Sequence, residues 1–223
     1  MNLLAIDTAF ETCSVALSLD GEVLEKFEHA PRGHAQLLLP WVEALLAETG
    51  TSLRALDGIG FSRGPGSFTS LRIGIGVVQG LAFGADLPVA PVSSLRVAAQ
   101  VAQGEGVQDA CVAMDARMDE VYTACFRARD GLMQAVTDER VCAAAEALPP
   151  NPADWTGVGN GFERFEVLAN ADFVECRTAI WPRAGVLASL AEAEFDGGRG
   201  VSADQAQPVY LRDKVAQTTA ERA

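Results

Sequence analysis

Two aspartates each end a short apolar segment, Asp7 in LLAIDTA and Asp115 in CVAMDAR. A carboxylate at a strand end, followed by small residues, is placed to hold a divalent cation against a phosphate. The same position also suits a polar residue that simply closes a strand. Between the two lies a glycine-rich run, SRGPGSFTSLRIGIG, from Ser62 to Gly76. It separates an apolar strand from a helix, where backbone N–H groups at the helix N-terminus attract an anion. A P-loop requires GxxxxGK[ST], and this run has no lysine, so a tight turn with Ser67 or Thr69 as N-cap is the competing reading. The candidate phosphate or anion contacts are Asp7, Thr8, Gly66, Ser67 and Thr69.

Other chemistry finds little support. The two histidines, His29 and His34, are five positions apart with Pro31 and Gly33 between them, which is not the i,i+4 spacing of two metal ligands on one helix face. No metal site is expected, and His34 is expected at the surface or as a cap in the first turn of its helix. The five cysteines, Cys13, Cys111, Cys125, Cys142 and Cys176, form no CxxC pair. Their odd number and scatter argue against a zinc site and a disulfide framework, and for small buried residues in a reducing compartment. No GxSxG elbow or protease-type cysteine signature is present, and a serine or cysteine nucleophile would have only the two histidines as base, so a protease or esterase is disfavoured.

The elements that must position these residues occur twice. After Asp7, TCSVALSL and EVLEKFEH flank an Asp20-Gly21 turn. After Asp115, which lies 108 residues further on, DEVYTACFRA and LMQAVTDERV flank Asp130-Gly131. Asp-Gly between β-type segments is a hairpin signal. The first hairpin is followed by a helix (His34 to Glu48), a strand (Gly58 to Ser62), a helix (Thr69 to Gly84), a strand (Leu87 to Val92) and a helix (Ser93 to Gln103). The second is followed by a short helix from Ala143, a strand at Trp155 to Val158, a helix from Phe162, a strand at Phe173 to Cys176 and a helix from Pro182 to Phe195.

The expected fold is therefore α/β, a duplicated βββαβαβα unit with a cleft between the copies. This is the plan of the sugar-kinase, actin and chaperone ATPase superfamily, an RNase H-like arrangement. In that plan the first turn of each half, here Asp7-Thr8-Ala9 and Asp115-Ala116-Arg117, faces phosphate. The boundary is expected at the polar segment from Gln103 to Asp109. It divides a subdomain of residues 1–104 from a smaller one of residues 105–223, with the final helix and tail packing back on the first.

With 223 residues, about half of them apolar, the chain can bury a sizeable core. Its formal charge of −13 repels nucleic-acid backbones, so any nucleic acid is expected to be held by a partner. No signal peptide is visible at the N-terminus. The longest uncharged helical stretch, Ile73 to Ala85, has thirteen residues, fewer than the roughly 20 of a membrane span. A cytoplasmic protein without membrane contact is expected.

That uncharged stretch is apolar on all sides, which requires cover on all sides. A sheet covers one face. Ile73, Val77 and Leu81 form a row at i,i+4, and Gly76, Gly80 and Gly84 form a smooth groove beside it. The preceding helix, HAQLLLPWVEALLAE, adds an apolar face around Leu38, Trp41 and Leu45. The interface of a partner or second copy is expected on Leu38, Trp41, Leu45, Ile73, Gly76, Val77, Gly80 and Leu81.

The segments LLAIDTAFETCSVAL, HAQLLLP, GIGFSRGPGSFTSLRIGIGVVQGLA, PVAPVSSL and QPVYLRD together resemble the bacterial TsaB (YeaZ) family, across both halves. The resemblance implies a component of the machinery that makes threonylcarbamoyladenosine beside the tRNA anticodon. It implies a non-catalytic paralogue of TsaD, lacking the paired-histidine metal motif of that transferase. Such a protein pairs with TsaD, works with the ATPase TsaE, and self-dimerises when alone, through the two helices at His34 to Glu48 and Thr69 to Gly84. With it come no catalytic residues, no glycoprotease activity, weak or absent ATP binding and tRNA contact only through the complex. The other reading of the fold is a small stand-alone ATPase or kinase.

Overall fold

The computed structural model describes residues Met1 to Arg212; the last part of the second half, residues 213–223, lies outside the described residues. The first unit is a five-stranded sheet of order β3-β2-β1-β4-β5. Its strands are β1 Leu3–Asp7, β2 Thr12–Leu19, β3 Glu22–His29, β4 Gly58–Gly64 and β5 Val89–Ser93. β1 pairs antiparallel with β2 and parallel with β4. The second sheet repeats this order as β8-β7-β6-β10-β11, from β6 Asp109–Asp115, β7 Glu120–Arg129, β8 Leu132–Ala135, β10 Thr156–Val158 and β11 Glu175–Arg177. These are two mixed α/β sheets in a duplicated RNase H-like arrangement.

Both Asp-Gly pairs form the expected turns. Asp20 and Gly21 have φ of 50° and 87°, and Asp130 and Gly131 have φ of 51° and 79°. Two consecutive positive values define the type I′ turn, whose twist matches that of the paired strands. The second unit departs from the first in its third strand. LMQAVTDERV is interrupted, so that β8 and a separate β9, Arg140–Ala143, both pair with β7.

Helices α1 His34–Thr49 and α2 Phe68–Ala85 lie on one face of the first sheet, and α3 Ser94–Gly104 leads out of the first unit. The corresponding helices of the second unit are shorter than expected. A 3₁₀ turn at Ala144–Ala147 replaces the first, and two four-residue helices, α4 Gly161–Arg164 and α5 Glu166–Ala169, replace the second.

The last helix, α6 Ala184–Asp196, crosses back onto the first sheet. Its Leu187, Leu190 and Ala191 pack with Leu3, Ala5, Ala16, Ala90 and Val92. The approach is close at β4: a Cβ on Gly60 would lie 2.5 Å from the Cβ of Ala191. α3 makes the reciprocal move, burying Leu95, Ala98, Ala99 and Ala102 against Val112, Met114 and Phe126 of the second sheet. Each sheet thus receives one helix from the other half's sequence.

Where β1 ends, the loop before α2 closes over it. Ser67 N donates to Ala9 O at 2.7 Å, and Thr8 Oγ1 donates to Ser70 O at 2.9 Å. A Cβ on Gly66 would lie 2.1 Å from Ala9 O, and one on Gly74 would lie 2.2 Å from Thr8 Oγ1. Glycine is required at both positions by this contact. Asp7 and Thr8 are left 0% and 2% exposed. The Asp7 carboxylate accepts from Ser62 Oγ and, at 3.2 Å, from Ala9 N.

Burial pushes the Asp7 carboxyl up to about 6, against the lowering effect of its two hydrogen bonds. The folded chain therefore holds this proton more tightly than the unfolded chain does, and the group's contribution to stability falls as pH rises from about 4 to about 6. The difference corresponds to roughly 3 kcal/mol above pH 6. Asp7→Asn is expected to flatten that fall. Urea midpoints measured from pH 4 to 7 check it, the wild type losing stability across the window and the variant changing less.

Candidate functional site

A cleft of about 690 Å³ opens between the two halves. The N-terminal end of α2, with Gly66, Ser67 and Thr69, forms one wall. The β6–β7 connection, with Asp115, Arg117 and Met118, forms the opposite wall together with Tyr122. The chain from Val209 to Arg212 also lines the cleft. Val209 N donates to Arg63 O at 2.8 Å and Arg72 Nε to Tyr210 OH at 2.8 Å, while Arg212 bonds to Glu120 and to Arg117 O. These contacts tie α2 to the second half.

Of the candidate phosphate contacts, Gly66, Ser67 and Thr69 line the cleft. Asp7 and Thr8 do not. The expectation that they face a phosphate is corrected by their burial: Gly74 packs on Thr8, and Asp7, turned to Ser62, is 0% exposed. Asp115 is also engaged, 3.2 Å from Arg117 Nη1 and 3.4 Å from Arg164 Nε, with Glu11 reaching Arg117 from the first half. The two strand-closing acids are thus bound to the protein's own donors.

His34 also departs from its expected surface place. It is 2% exposed, and its Nε2 lies 3.1 Å from Thr12 O. Gly33, not a side chain, stands at the N-cap of α1. Desolvation holds the His34 imidazole below the ordinary histidine range, against the raising effect of its backbone hydrogen bonds. Among the described residues, no three His, Cys, Asp or Glu side chains converge as a metal-ligating group.

The outer surface of α1 and α2 divides the expected interface residues. α2 is long and apolar enough to cross a membrane by length and composition, but its Ile75, Val78 and Ala82 are buried against the first sheet and its Leu71 in the cluster with Phe10 and Leu95. The opposite side is open. Gly76, Gly80 and Gly84 are exposed, and a Cβ on any of them would meet nothing within 4 Å. Phe83 stands 85% exposed beside them. Ile73, Val77, Leu81 and Trp41 are half-buried at the flank shared with α1.

Leu38 and Leu45 require correction. They are 0% and 2% exposed, because with His34 and Val42 they form the stripe that α1 turns to the sheet. Neither reaches the surface of this chain. The large apolar side chains that the two helices do turn outward are Leu39, 46% exposed, and Phe83. Helical arithmetic would have found Phe83, which falls on the same side as Gly76 and Gly80. Leu38→Ala is expected to cost roughly 2–5 kcal/mol of stability, and Leu39→Ala less than about 0.5 kcal/mol, as read by denaturant unfolding.

Comparison with known proteins adds to this geometry. The family model of TsaD, tRNA N6-adenosine threonylcarbamoyltransferase, matches residues 27–196. The tRNA threonylcarbamoyladenosine biosynthesis protein TsaB of Escherichia coli is 41% identical, over 97% of this chain and 96% of its own length. That of Haemophilus influenzae is 36% identical, over 96% and 95%. YeaZ from Pseudomonas aeruginosa, a solved structure, is 46% identical and superposes with a TM-score of 0.89, covering 94% of this chain and 99% of its own. With sequence and fold matched over almost the whole length, the chain belongs to the TsaB (YeaZ) family of tRNA threonylcarbamoyladenosine biosynthesis proteins.

Proposed function

We propose that this chain is a non-catalytic scaffold subunit, which pairs with a TsaD-like transferase and works with a TsaE-like ATPase to threonylcarbamoylate the tRNA adenosine beside the anticodon. The observation that carries the reading is the uncovered side of α2. Three exposed glycines and an aromatic ring that is 85% in water leave a smooth apolar face on which none of the described residues packs. In an isolated helix each such glycine is unfavourable by roughly 0.5–1 kcal/mol relative to alanine. The close approach of another backbone is a physical reason to retain them.

The half spanning residues 1–104 supplies this face, with Trp41, Ile73, Val77 and Leu81 at its border. A second copy occupies it when the transferase is absent. Burial of Asp7 beneath the loop agrees with a chain that does not perform the chemistry. The net charge of −13 agrees with contact to tRNA through the complex in the cytoplasm rather than through this subunit alone.

Two measurements test the reading. Gly76→Ala, Gly80→Ala and Gly84→Ala should each stabilise the isolated chain by up to about 1 kcal/mol, because the added methyl meets open space. The same changes, and Phe83→Asp more strongly, should weaken association with the TsaD-like subunit in calorimetry; unchanged association in all four would exclude this face. Threonylcarbamoyl transfer to tRNA should require both proteins. Transfer by the TsaD-like subunit that is indifferent to this chain, or ATP turnover by this chain alone that Asp7→Asn abolishes, would overturn the scaffold role.

A further inference from the structure

The second sheet brings two cysteines of this chain face to face. Cys111 on β6 and Cys125 on β7 are direct partners in the antiparallel register. The Cys125 N–H donates to Thr137 Oγ1 at 2.8 Å, and Cys125 O accepts from Val136 N at 2.9 Å. Both backbone groups of Cys125 therefore point away from β6, and Cys111 and Cys125 form a non-hydrogen-bonded pair. In such a pair the Cα atoms lie about 4.5 Å apart with the side chains closest, inside the range of roughly 4.4–6.8 Å that a disulfide spans.

The proximity of the two thiols, with Thr137 beside Cys125, holds Cys125 below the ordinary thiol range and, together with burial, Cys111 above it. The two are 1% and 5% exposed, on the same face of β6 and β7 as Ala113 and Val121, which pack with the 3₁₀ turn and the four-residue helices. In the same row of the sheet Cys176 of β11 is separated from Cys111 by Gly157, so it is not a direct partner of either.

We infer that Cys111 and Cys125 form a reversible cross-strand disulfide, made by peroxide, that staples the hairpin carrying the cleft wall. The Cys125 thiolate attacks one peroxide oxygen; the O–O bond breaks, water leaves after taking up a proton, and a sulfenic acid remains. Cys111 sulfur then displaces the sulfenic oxygen, the S–S bond forms, and a second water leaves with the thiol proton. In sum two thiols and one hydrogen peroxide give one disulfide and two waters. The closed loop, residues 111–125, contains Asp115, Arg117 and Tyr122 of the cleft as well as Glu120, which holds Arg212.

The test uses the full chain with Cys176→Ser, to remove the exposed thiol. After dilute hydrogen peroxide, intact mass should fall by two hydrogens, and a non-reducing digest should yield a linked peptide joining Cys111 to Cys125. The melting temperature should rise by several degrees, and dithiothreitol should reverse all three changes. Cys111→Ser and Cys125→Ala, each on this background, should abolish the linked peptide. Both residues recovered as free thiols, irreversible oxygen addition in place of the linkage, or bridges to Cys142 or Cys13 instead would each overturn the inference.

Discussion

The contact on which the rest of the cleft depends is that of the Gly64–Ser67 loop with the turn after β1. Gly66 lies against Ala9 O, and Gly74, one turn into α2, lies against Thr8, both closer than any side chain allows. Beside that contact Asp7 lies in a dry site, where burial raises its affinity for a proton and a Ser62 hydroxyl replaces water. The contact also sets the starting point of α2. The same glycines therefore close the floor of the cleft and aim the helix whose outer side stays open.

A second constraint is the exchange of helices between the halves. α6 covers the first sheet and α3 the second, so neither sheet is completed by its own stretch of sequence. Apolar burial on this scale joins the two units into a single body. Arg63 with Glu139 at 3.1 Å and Arg96 with Glu194 at 2.8 Å add charged ties across the two halves. The cleft is consequently bounded by walls held from both sides, and the Val209–Arg212 segment adds to its lining.

Much of this architecture is legible in the residues. The two Asp-Gly turns and the recurrence of strands after each are local signals, and the sheets follow them closely. The site is only partly legible. Ser67, at the N-cap of α2, and Thr69, in its first turn, line the cleft, whereas Asp7 and Thr8 do not, because what covers them comes from segments some sixty positions away. Leu38 and Leu45 show the same limit. Their spacing marks an apolar stripe, and a stripe has the same pattern whether it meets the protein's own sheet or another molecule.

By itself, then, the sequence determined the duplicated α/β unit, the hairpins, the apolar character of α2 and the family. These rest on backbone preferences and periodicities that act within a few residues. Only the tertiary structure decided which side of α2 is left uncovered, that α6 returns to the first sheet, that the third strand of the second unit divides into β8 and β9, and that Asp7 is sealed from the cleft. The physical reason is that burial sums contacts from segments far apart in the chain. SRGPGSFTSLRIGIG has the composition of a phosphate cradle, and its fit to the Asp7–Ala9 turn makes it instead the cover of an acid and the origin of an exposed helix.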